Sequence, residues 1–115
     1  MKNHKSLTIE GLTDKGPSKI ALMVASEFYR AAAGADYPAD VASCFKRARE
    51  LMGVLETIPL PEDIASDLRS IYTACRETLL DKVARQPSEE VKEIAEDFAQ
   101  RFDLFGKRLA MANAA

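Results

Sequence analysis

The chain is poor in the residues that carry chemistry. One histidine and two cysteines stand among its 115 residues, and tryptophan is absent. A carboxylate-bridged di-iron bundle needs a Glu-x-x-His pair on each of two helices, which a single histidine, His4, cannot supply. The same count excludes a histidine phosphotransfer bundle, because His4 falls in an N-terminal stretch rather than on a helix face. A Ser-His-Asp or Cys-His constellation would have to fold that stretch onto Cys44 or another nucleophile. Cys44 and Cys75 are too few and too far apart for a zinc knuckle or a CxxC redox motif, so they read as buried thiols. The five glycines are scattered, and none builds a phosphate-cradling loop. No apolar run approaches the roughly 20 residues of a membrane span. The opening "MKNHKSLTIEGLTDKG" also lacks the apolar centre of a signal peptide. The expected location is cytoplasmic, with no membrane partner.

What is present is a helical pattern punctuated by proline. With 30% charged and 47% hydrophobic residues and a formal net charge of -2, the composition fits one globular domain and offers no attraction for nucleic acid. Proline lacks an N–H and fixes φ, so it is costly inside a helix and harmless in the first turn. Pro17, Pro38, Pro61 and Pro87 each precede an apolar-periodic segment, which predicts four helices over about 17–34, 38–58, 61–85 and 87–112. In the stretch "VLETIPLPEDIA", Pro59 ends one helix while Pro61, Glu62 and Asp63 open the next.

The apolar residues recur at three-and-four spacing in every segment. The stripes are Ile20, Val24, Phe28 and Ala31; then Val41 through Leu55 and Ile58; then Ile64, Leu68, Ile71, Tyr72, Cys75, Leu79 and Val83; and finally Val91 through Leu109. Short connections make sequence neighbours antiparallel. The expected fold is therefore all-α, an up-down-up-down four-helix bundle over residues 16–115 preceded by an extended arm over residues 1–15. Carboxylates such as Glu89, Glu93 and Asp97 lie off the stripes, on a solvated face. The basic residues lie opposite the stripes too, unlike the inward arginines and lysine of a helical mutase of the chorismate type. The reading is a non-enzymatic protein with no cofactor or metal.

The first helix is unusual. Leu22, Met23, Ala25, Tyr29, Ala32 and Ala33 extend its apolar character well beyond the Ile20–Ala31 stripe. Such an element is expected to be covered on more than one side, by a partner helix, a second copy or the chain's own N-terminal arm. The alternative is that the alanines are good helix formers and that Leu22 and Tyr29 are ordinary surface exceptions.

The order of local patterns resembles the FliS-type export chaperones of bacterial flagellin, over roughly residues 14 to 110. The run "GPSKIALMV" is similar to the family's proline followed by aliphatic-x-Leu-Met-aliphatic, through Pro17, Ile20, Leu22, Met23 and Val24. "FKRARELMGVL" resembles its second-helix pattern through Arg47, Ala48, Leu51, Met52 and Leu55. "DLRSIYTACRETL" resembles its third through Leu68, Ile71, Tyr72 and Leu79. The chain departs from the family at Ala25–Ser26–Glu27, and it carries Phe105 where the family has a tryptophan in the last helix.

The resemblance implies a chaperone that binds the disordered C-terminal segment of flagellin, or of a similar secreted protein, as amphipathic helices along the outside of the bundle, preventing premature assembly. Expected client contacts are Leu22 and Tyr29, with Tyr72 carried over from the family pattern although it also lies on the core stripe. The arm, with Leu7, Ile9 and Leu12, is expected to cover the groove when no client is bound. The alternative is a structural module that uses the same surface to form a homodimer without a client.

Overall fold

The computed structural model describes residues 16–77 and 80–114. The expected arm over 1–15, with His4, Leu7, Ile9 and Leu12, lies outside the described residues, as does Leu79. Four long helices form an all-α bundle: α1 (Pro17–Ala33), α2 (Pro38–Glu56), α3 (Glu62–Glu77) and α5 (Ser88–Ala114). A single-turn helix, α4 (Leu80–Val83), stands where the sequence predicted that the third helix would run on to 85. No strand occurs among the described residues.

The prolines act in two ways. Pro17 and Pro38 occupy the first turns of α1 and α2, where their missing N–H has no partner to lose. Pro61 and Pro87 stand one residue before α3 and α5. There the Pro61 carbonyl accepts from the Ala65 N–H at 2.8 Å, and the Pro87 carbonyl accepts from the Val91 N–H at 3.1 Å. At the other end of the proline-rich stretch, the Val54 carbonyl accepts both the Thr57 N–H at 3.0 Å and the Thr57 hydroxyl at 2.7 Å, which closes the last turn of α2. Gly16, at the entry to α1, has φ of 88°, a left-handed conformation that favours glycine.

Cross-helix contacts fix the direction of each helix. Phe28 and Glu27 meet Phe45 and Arg47, so α1 and α2 run antiparallel. Leu22 lies beside Gly106 while Phe28 meets Phe98 and Phe102, so α1 and α5 do the same. On the other side of α5, Asp67 pairs with Arg108, while Ile71 lies beside Leu104. The result is the up-down-up-down order, with α1 packed between α2 and α5. Burial follows the stripes: Ile20, Val24, Phe28 and Ala31 of α1 are fully enclosed, as are Val41, Leu55, Val91 and Phe102. Ile58, Ile71, Tyr72 and Ile94 are half-buried against that core.

Candidate protein-binding surface

Packing between two companions consumes most of the surplus apolar surface of α1. Ala21, Ala25 and Ala32, beyond the Ile20–Ala31 stripe, are buried, and Met23 is half-buried. Leu22 and Tyr29 are not: they are 40% and 44% exposed. Seven residues separate them, two helical turns, so both project from one edge of α1. The edge has a built base. A Cβ added at Gly106 would lie 3.0 Å from Leu22 Cγ and 3.1 Å from the Ser18 carbonyl oxygen. The missing side chain at Gly106 thus lets α5 approach the start of α1 and seats one flank of Leu22, leaving the other flank open.

Tyr72 lies elsewhere. It is half-buried on α3, and the Arg76 guanidinium stacks over its ring at 4.8 Å from the centroid. The structure brings Leu22 and Tyr29 to one edge and does not bring Tyr72 to them.

A second apolar surface lies between α3 and α5. A shallow groove of about 420 Å³ is lined by Ile71, Leu104 and Phe105, with Asp67, Arg101 and Arg108 at its rim. Leu104 is 62% exposed, and Met111, seven residues on, is 74% exposed. On α5, Leu104 and Gly106 project about 200° apart, so the residue that seats Leu22 and the residue that lines this groove lie on different faces of the helix. Sequence reasoning missed this surface. The signal was available, because Leu104 and Met111 share a direction within about 20° and both miss the Phe98–Phe102–Phe105–Leu109 stripe.

Sequence reasoning also missed the polar contact at the middle of α1. Glu27 is buried, and its carboxylate accepts from Arg47 Nε of α2 at 3.1 Å and from Arg30 Nη1 at 3.4 Å. Arg47 Nη2 reaches Cys44 Sγ at 3.5 Å. Burial, reinforced by the Glu27 carboxylate, pushes the Cys44 thiol up from its ordinary range despite the opposing Arg47 and Arg30 charges. Thiolate is the reactive form, so this environment favours an inert thiol. Replacing Arg47 by methionine should destabilise the fold by about 1–3 kcal/mol in a denaturant titration, because Glu27 then keeps only its longer bond to Arg30. Replacing Glu27 and Arg47 together by leucine should return stability to within about 1 kcal/mol of the parent. Among the described residues, no group of histidine, cysteine, aspartate or glutamate side chains is placed to hold a metal ion. No described helix is long and apolar enough to cross a membrane.

In comparisons with known proteins, no family model, no curated protein and no solved structure matches this chain.

Proposed function

We propose that this bundle is a carrier for another polypeptide, an export chaperone or adaptor that receives an amphipathic, otherwise disordered segment of a secreted protein. The observation that carries the reading is the Leu22–Tyr29 edge: two large apolar side chains left open on a helix whose other large apolar residues are covered. Helical segments that fold on binding present apolar residues at i and i+7, the spacing this edge offers. The local patterns that resemble FliS-type chaperones favour a flagellin-like C-terminal segment as client. Occupying that segment would keep it from assembling before export. Tyr72, half-buried on α3 beneath the Arg76 guanidinium, lies on another helix, so the proposed client contact is centred on Leu22 and Tyr29.

Titrating the purified protein with a flagellin C-terminal peptide, followed by circular dichroism and calorimetry, tests the reading. The expected result is saturable binding with a gain of helix beyond the sum of the two partners and a negative heat-capacity change. A protein indifferent to such peptides at hundreds of micromolar would remove the proposed client class.

A further inference from the structure

We infer that the outer face of the α3–α5 pair is a contact between two copies of this chain, separate from the client edge. The face carries both halves of a self-complementary fit. Its projecting parts are Leu104 and Met111, the two most exposed aliphatic side chains described. Its recesses are the α3–α5 groove and a neighbouring depression of about 400 Å³ on α3 lined by Ser66, Arg69, Ser70, Thr73 and Ala74, the two sharing Ser70 as a common wall.

Symmetry brings projection and recess together. A two-fold axis parallel to the helices lays α3 of one copy over α5 of the other, still antiparallel and at the level these helices keep within one chain, where Ile71 lies beside Leu104 and Asp67 beside Arg108. Leu104 of one copy then stands at the height of Ser70 and Ala74 of the other and can enter that depression. Small residues there allow the close approach a projecting leucine needs. Charges agree with the same placement. Glu62, Asp63 and Asp67 crowd the start of α3 with Arg69 bound to Glu62, while Lys107 and Arg108 lie toward the end of α5, bound to Asp103 and Asp67 of their own chain, so a net acidic end meets a net basic one across the axis.

The area suits a weak dimer. A face as long as α3, about 24 Å, and two helix diameters wide, about 20 Å, buries roughly 1,000 Å² over both partners, the lower limit for a specific interface. The expected dissociation constant is in the micromolar range rather than the nanomolar. Neither Leu22 nor Tyr29 lines this face.

Sedimentation velocity on the full chain from about 1 to 300 µM is the test, chosen to span that affinity. Concentration-dependent dimerisation is expected, with Leu104→Glu weakening it about tenfold or more and Ser70→Arg, which fills the recess, doing the same. Leu22→Asp should leave it unchanged, so a failure here and a failure of the client reading are told apart. Circular dichroism of the two variants should match the parent, since both sites are exposed. A chain that stays monomeric throughout, or a dimer that neither variant weakens, or one that Leu22→Asp dissolves, overturns the inference.

Discussion

Replacing Phe28 by alanine is expected to destabilise the protein by about 3–5 kcal/mol, a loss that takes most of the stability of a small domain. Phe28 has no solvent exposure and is the one ring in contact with three others: Phe45 at 5.6 Å, Phe98 at 5.5 Å and Phe102 at 6.0 Å between centroids. Those rings come from α2 and α5, so the residue joins three of the four long helices. Truncation removes the transfer energy of the ring and leaves a cavity that backbones on three sides cannot all close. The tilted pairs with Phe45 and Phe98 add ring–ring attraction, about 0.5–1.5 kcal/mol per pair beyond area alone. Phe28→Leu, which keeps much of the volume, should cost less than half as much in the same guanidinium titration. A loss below about 1 kcal/mol for Phe28→Ala would mean that α1 is not the centre of the bundle.

Alkali is expected to destabilise the fold through Cys75. Burial pushes this thiol up to about 12 from its ordinary value of 9.0, against the weaker opposing pull of Arg49 and Arg101. The unfolded chain releases the proton first. Stability from this group is therefore complete below pH 9 and is lost as the pH rises from 9 toward 12, with a slope that approaches about 1.4 kcal/mol per pH unit. By about pH 10.5 the loss is about 2 kcal/mol. Cys75→Ala, which has no proton to release, should lack that component, so the stability difference between parent and variant should shift in favour of the variant as pH rises from 8 to about 10.5. A difference that stays constant across that range would mean that the thiol is open to water. The same burial predicts slow alkylation of Cys75 in the native state and fast alkylation in guanidinium.

The architecture was legible because two independent signals coincided. Each proline that opens a segment is followed by apolar residues at helical spacing, and Pro17, Pro38, Pro61 and Pro87 mark the starts of the long helices to within one residue. The stripes were legible for the same reason: Ile20, Phe45, Leu68 and Phe102 are all buried. In the third segment the periodicity through Val83 agrees with the helical residues described up to Glu77 and again from Leu80 to Val83.

The surface was legible in part. Leu22 and Tyr29 stand off the core stripe on the helical wheel, and their exposure follows from that angle. Which of their apolar neighbours stay open depends on how many helices flank α1, a tertiary property. Ala25 and Ala32 are covered because α1 lies between α2 and α5, so the apolar excess of this helix is narrower than its sequence suggests. Glu27 was illegible for the opposite reason. Its carboxylate is tolerated inside only because Arg47 arrives from α2, twenty residues on, and one-dimensional periodicity carries no trace of that partner.

These two facts define what α1 does: Phe28 and its neighbours hold three helices together, while Leu22 and Tyr29 are left over. The account depends on that division. Its most direct test is a single variant, Leu22→Asp, measured twice, once for unfolding in guanidinium and once for binding of a flagellin C-terminal peptide. The account predicts a stability change within about 1 kcal/mol, as expected at an open surface site, and a loss of peptide binding of about 100-fold or more. Full peptide binding by a stably folded Leu22→Asp protein would contradict it, as would a variant that unfolds because Leu22 serves the core.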